Sequence, residues 1–184
     1  MKVVSIQPTP NPNAFKFVLD EVACRGTKNY GAPSEVEDHP LASDIFAIDG
    51  VERVFFCDAF ITVSMTPDAD WRAVHEATTR TIEAAPSGAF DSGTGRSASP
   101  SLEGLSETEG EMLERINALL DDRVRPALAG DGGGLEVLGL EGKTLHIRYE
   151  GACGSCPSSV TGTLMAIENL LQAEVDADLS VIPG

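Results

Sequence analysis

Residues 87–106, Ser-Gly-Ala-Phe-Asp-Ser-Gly-Thr-Gly-Arg-Ser-Ala-Ser-Pro-Ser-Leu-Glu-Gly-Leu-Ser, are dominated by serine and glycine and carry no sustained apolar period. A stretch of this composition buries too little apolar surface to offset the entropy of ordering it, so it reads as a flexible linker. It divides the 184 residues into two pieces of fewer than about 100 residues, each enough for one small core. The expected fold class is therefore α+β: two small α/β domains, residues 1–86 and 107–184, joined by the linker 87–106.

In the first piece, Val3 to Gln7 and the alternating Phe15, Phe17 and Leu19 read as strands on either side of the breaker-rich Pro8-Thr9-Pro10-Asn11-Pro12-Asn13. Glu21 to Pro40 is read as irregular and Leu41 to Ala47 as a short helix. Val51 to Cys57 and Phe60 to Met65 read as paired strands turning at Asp58-Ala59, with Ile61, Val63 and Met65 facing the core. Thr66-Pro67 is the expected start of a helix carrying Trp71, Val74, Thr78, Ile82 and Ala85 on one face, ended by Pro86 and Gly88.

The second piece opens with a capping-box pattern, Ser106 to Glu109, and a helix with Met112, Ile116, Leu119 and Leu120 on one face. Pro126 should end or kink that helix, and Asp131-Gly132-Gly133-Gly134 should turn the chain. Leu135 to Leu140 and Thr144 to Glu150 flank Glu141-Gly142-Lys143 as a hairpin. A helix from about Ser158 to Gln172 follows, then a strand with Val175, Ala177, Leu179 and Val181 alternating. The order is α-β-β-α-β, and the last step requires a crossover that lays the second helix over the sheet.

The formal charge of -16, from 29 acidic and 13 basic residues, would repel phosphate backbones and anionic lipid surfaces, which argues against nucleic-acid and membrane partners. No run approaches the roughly 18 to 20 apolar residues of a bilayer span, and the first residues lack a signal-peptide layout. A cytoplasmic protein is expected. The four cysteines, Cys24, Cys57, Cys153 and Cys156, are too sparse for an extracellular disulfide scaffold. Cys57 reads as a buried small hydrophobe in Val54-Phe55-Phe56-Cys57, and Cys24 is given no role.

Cys153 and Cys156 stand three positions apart in Gly151-Ala152-Cys153-Gly154-Ser155-Cys156-Pro157, between a strand and a helix. Amides at a helix start stabilise thiolates and can donate to the sulfurs of an anionic cluster. Four thiolates complete the shell of a structural zinc or an iron–sulfur cluster, and this motif supplies two. His39, His75 and His146 are scattered and stand at no zinc-finger spacing from it. Three readings compete. A thioredoxin-like dithiol oxidoreductase is disfavoured because only 28 residues follow Cys156. A zinc site or an iron–sulfur cluster would each be completed by the same two cysteines of a second chain on a twofold axis, and spacing does not choose between them.

The cysteine loop, preceded by Arg123-Val124-Arg125-Pro126-Ala127-Leu128 and Asp131-Gly132-Gly133, resembles the C-terminal domain of the Nfu-type, or NifU-like, iron–sulfur cluster scaffold and carrier proteins. Thr9-Pro10-Asn11-Pro12-Asn13-Ala14, Phe46-Ala47-Ile48-Asp49-Gly50-Val51 and Val54-Phe55-Phe56 are similar to that family's N-terminal domain. The resemblance implies a non-enzymatic carrier: a labile [4Fe–4S] cluster held at a homodimer interface by Cys153 and Cys156 of each subunit, loaded by upstream assembly factors and delivered to apo iron–sulfur proteins. The chain departs from the family pattern in its Gly154-Ser155 order between the cysteines and in having Gly134 where an acidic residue is common. Neither departure removes a ligand. The linker would let the N-terminal domain search for a recipient while tethered.

Overall fold

The computed structural model describes residues 1–36, 39–86, 107–155 and 157–184, with the backbone alone at 107, 155 and 157–161. The linker, Ser106 of the capping-box pattern and Cys156 lie outside the described residues.

The N-terminal half is one antiparallel sheet in the order β1-β2-β5-β4-β3, formed by β1 (Val3–Pro8), β2 (Ala14–Leu19), β3 (Thr27–Tyr30), β4 (Val51–Cys57) and β5 (Phe60–Met65). β4 and β5 turn at Asp58, which takes a positive φ of 45°. Period-two alternation sends Phe17, Val54, Phe56, Ile61, Val63 and Met65 to one face, where they meet Leu41, Ala42 and Ile45 of α1 (Pro40–Phe46) and Val74 and Ile82 of α2 (Trp71–Ala84). Two expectations are corrected here. The segment read as irregular contains β3, a polar edge strand paired with β4 from Thr27↔Cys57 to Tyr30↔Val54. The second helix begins at Trp71 rather than at Pro67, because the Asp70 carboxylate accepts from the Arg72 and Ala73 amides at 3.0 and 3.4 Å and caps it there. Ala85 then falls beyond its end.

The C-terminal half follows the α-β-β-α-β order. α3 (Glu107–Leu119) passes through one wider π turn, Leu120–Val124, into α4 (Arg125–Gly130). The wider turn lets the helical path continue past Pro126, which cannot donate an amide and sits in the first turn of α4. Leu113, Ile116, Leu120 and Leu128 form the buried stripe, with Met112 and Leu119 at its margin. β6 (Gly133–Glu141) and β7 (Thr144–Gly151) make the hairpin, turning at Gly142-Lys143. Gly133 and Gly134 thus lie inside β6 instead of in the preceding turn. α5 (Pro157–Glu174) crosses over to β8 (Ser180–Pro183), which pairs parallel with β7. The last strand is shorter than the alternation predicts: residues 175–179 form a turn, with Leu179 buried and β8 contributing Val181 to the core.

The two halves are packed against one another. The second face of the N-terminal sheet carries Lys16, Phe55, Phe60 and Thr62, and it covers the end of the C-terminal sheet where β6 starts and β7 ends. Phe55 is completely buried although it lies outside the N-terminal core. A Cβ on Gly134 would sit 2.8 Å from Phe55 Cζ, and one on Gly151 2.7 Å from Phe55 Cδ1. These two glycines therefore form the seat for the ring. Thr62 Oγ1 donates to the Gly132 carbonyl at 2.7 Å, Lys16 Nζ to that of Ala129 at 2.7 Å, and Asn11 Nδ2 to that of Ala152 at 3.4 Å.

Candidate metal centre

Cys153 lies in a single 3₁₀ turn, Ala152–Ser155, that closes off β7 and leads towards α5. The turn is formed because Gly151 adopts a φ of 62°, a left-handed conformation that a side chain would strain, and so redirects the strand. The Ala152 amide then donates to the Gly132 carbonyl at 3.2 Å, pinning the turn to the chain that enters β6.

Cys153 is 9% exposed and belongs to the C-terminal core. It packs on Gly133 so closely that a Cβ there would lie 2.5 Å from Sγ. Across the turn, a Cβ on Gly154 would be 2.9 Å from the Tyr149 carbonyl. Glycine at 133 thus lets β6 approach the sulfur, and glycine at 154 lets the turn close on the end of β7. Cys156, its expected companion, is outside the described residues; in the chain it stands between this turn and α5.

Burial shapes the titration of the surroundings. Burial, reinforced by the nearby Glu136 carboxylate, pushes the Glu150 carboxyl up to about 7 against a hydrogen bond from Thr27. That Thr27 contact is a further link between the halves. Tyr149 is pushed up to about 12, first by burial and then by the neighbouring Cys153. The Lys16 ammonium is lowered by burial, with the charges of Cys57 and Asp131 opposing.

The remaining candidates are placed elsewhere. Cys57 lies on the wall of a cleft of about 870 Å³ between the halves, with Asp58 on its own side and Asn117, Asp121 and Arg125 opposite. Burial and the adjacent Asp58 push its thiol up to about 12, which leaves it protonated at neutral pH and a poor ligand. Cys24 is buried, with its sulfur 3.7 Å from the Arg25 carbonyl. His39 caps α1 by accepting from the Ala42 amide at 3.2 Å. His75 stacks edge-on against Phe15 at 4.1 Å, and burial lowers its pKa. His146 lies 3.7 Å from Glu141 at the far end of the hairpin. Among the described residues, no three His, Cys, Asp or Glu side chains converge as a metal site.

Sequence reading missed Asn11, Thr62, Phe55 and Arg53 as neighbours of the cysteine turn. A signal existed for Phe55 alone. Val54-Phe55-Phe56 is apolar at consecutive positions, and a strand apolar on both faces is one that is covered on both. The covering element is the cysteine-bearing half.

Comparison with known proteins finds two family domains in the chain. The family model described as "Scaffold protein Nfu/NifU N terminal" matches residues 4–88, and the one described as "NifU-like domain" matches residues 116–182. The chain is 35% identical over 173 residues to the human protein "NFU1 iron-sulfur cluster scaffold homolog, mitochondrial", covering 92% of this chain and 66% of that one. It is 32% identical over 176 residues to "NifU-like protein 4, mitochondrial" of Arabidopsis thaliana, covering 91% of this chain and 61% of that one. The chain therefore spans about 61 to 66% of the length of these two relatives. The crystal structure of protein SAV1430 from Staphylococcus aureus is 30% identical, with a TM-score of 0.40, covering 45% of this chain and 99% of that one.

Proposed function

Because this chain belongs to the Nfu-type, NifU-like family of iron–sulfur cluster scaffold proteins, we propose that it carries a labile [4Fe–4S] cluster between two subunits. Cys153 and Cys156 of each subunit supply the four thiolates, and the cargo is handed to apo iron–sulfur proteins. The observation that carries this reading is the placement of Cys153: its sulfur sits at the end of a sheet, in a turn whose glycines let the backbone close around it. Such a site suits a thiolate ligand held in a fixed direction, since the glycines let backbone approach it closely.

Two ligands per chain make cluster binding and dimer formation one linked equilibrium, because neither subunit completes the shell alone. Separation of the subunits, or exchange of their thiolates for those of an acceptor, releases the cargo. This is the behaviour of a carrier rather than of an enzyme, and it belongs in a reducing compartment such as the cytoplasm. Loading requires an upstream assembly factor.

Anaerobic reconstitution of the full chain tests the reading. The expected result is about four irons per dimer, as a [4Fe–4S] core requires, with dimerisation on loading and faster transfer to a metal-free acceptor than to a chelator. Iron binding unchanged by Cys153→Ala would refute it, and one zinc per dimer in protein purified without oxygen would replace it with a structural zinc bridge.

A further inference from the structure

Arg53 stands two residues before Phe55 on β4, so the pleat that turns Phe55 toward the C-terminal half turns Arg53 the same way. Its Nη1 lies 3.9 Å from the point where a Cβ on Gly154 would begin. Gly154 immediately follows Cys153, between the two cysteines of the loop. A cation from one half of the chain is thereby delivered to the turn that bears the thiol of the other.

The charge is conspicuous for lacking any other task. The chain has 13 basic residues against 29 acidic ones, and several of its other described cations are engaged by carboxylates: Arg125 pairs with Asp121, Lys143 with Asp176 and Asp178, and Arg148 with Glu136. The Arg53 guanidinium is half-buried and makes no hydrogen bond or ion pair with a described residue. A guanidinium held beside this turn offers its fork of N–H donors to an anion bound there. The anchors around it, Phe55 on its two glycines, Thr62 on Gly132 and Asn11 on Ala152, hold the strand in register with the cysteine turn.

We propose that Arg53 is the charge partner of the cysteine loop, a binding residue for the anionic cluster contributed by the N-terminal domain. Without cargo it lies beside the turn that bears Cys153. In the loaded protein its N–H groups donate to the sulfurs, and hydrogen bonds of this kind tune the stability and potential of a cluster. This rests on the carrier reading for its cargo, while the placement of the charge does not depend on it. The N-terminal domain is then part of the binding site and its docking is one of the conditions for holding the cluster.

The test uses the metal-free full chain and reads the local charge directly. Cys153 is alkylated with anionic iodoacetate and, separately, with neutral iodoacetamide, and the two rates are followed by peptide mass spectrometry. A unit charge a few ångströms away concentrates an anionic reagent about fivefold even under water-like screening. Arg53→Gln is expected to lower the iodoacetate-to-iodoacetamide ratio by about that factor, and Arg53→Lys to keep most of it. An unchanged ratio in Arg53→Gln overturns the proposal. Should that variant fold poorly, the wild-type ratio itself decides: it should fall about threefold or more between low salt and 1 M salt, where the screening length is about 3 Å, and a salt-independent ratio refutes the assignment. In reconstituted protein, Arg53→Gln should keep its iron content but lose it to a chelator several-fold faster. Failure to bind iron at all would overturn the carrier reading and leave the alkylation ratio to decide on Arg53.

Discussion

Gly133→Ala is the most incisive single change to the cysteine turn. The added methyl would lie 2.5 Å from Cys153 Sγ, 3.1 Å from Cys153 Cβ and 3.0 Å from the Glu150 carbonyl. Non-bonded carbon contacts settle near 3.5 to 4.0 Å, so the turn must retreat by about 1 Å. Cys153 Sγ can escape only by turning away from its present direction, and the contacts with Cys153 Cβ and the Glu150 carbonyl have to be relieved by the β6–β7 backbone. Overpacking of this kind costs about 1 to 3 kcal/mol, equivalent to a fall of roughly 4 to 8 °C in Tm per kcal/mol for a domain of 60 to 100 residues. The effect on cargo is larger, because metal–ligand distances tolerate only about 0.2 Å. Thermal unfolding of the metal-free protein by circular dichroism reads the first quantity, and iron per dimer after reconstitution the second. Gly139→Ala on the same strand is the control, since nothing lies within 4 Å of its Cβ position. A Gly133→Ala protein that melts with the wild type and binds iron normally would refute the reasoning.

The pH dependence of stability follows from Glu150. Its folded pKa, about 7, is raised above the ordinary carboxyl value of 4.5 by burial, so its contribution is fully present below about pH 4.5 and is lost as pH rises through 7. The loss is at most about 3 kcal/mol; Glu150→Gln should flatten this limb of the stability–pH curve in urea unfolding, and an unaltered slope would count against the burial of the charge. Asp70→Ala removes the side-chain cap of α2 and should lower stability by about 1 kcal/mol, measured as a shift in the urea midpoint. A midpoint unmoved by this change would mean the helix start is held by packing alone.

What the sequence made legible is what depends on neighbours along the chain. The β4–β5 and β6–β7 hairpins, the helices α1, α3 and α5, and the placement of the cysteine turn after β7 all follow from alternation, helical spacing and turn residues. The errors have a common physical origin. β3 escaped because Thr27-Lys28-Asn29-Tyr30 is a polar edge strand whose evidence lies in its partner, β4. The start of α2 was misplaced because Thr66-Pro67 and Asp70 are both plausible caps, and the carboxylate at Asp70 reaches two free amides. Gly133 and Gly134 read as turn residues because glycine ordinarily marks one, whereas here their missing side chains accommodate Cys153 and Phe55 across a sheet. Arg53, Asn11 and Thr62 carry no local mark at all, since each meets its partner roughly 70 to 140 residues away in the chain.

The burial of Phe55 bears on how the two halves can be taken apart. A ring with no exposed surface, seated in a groove owned by the other half, means that parting them uncovers apolar area worth about 1.5 to 3 kcal/mol for this residue alone. The severed N-terminal half would present a sticky sheet face, and the severed C-terminal half a bare glycine notch. The halves are thus joined through this ring as well as through the chain, and the effects of substitutions at residue 55 and at residues 134 and 151 should be non-additive.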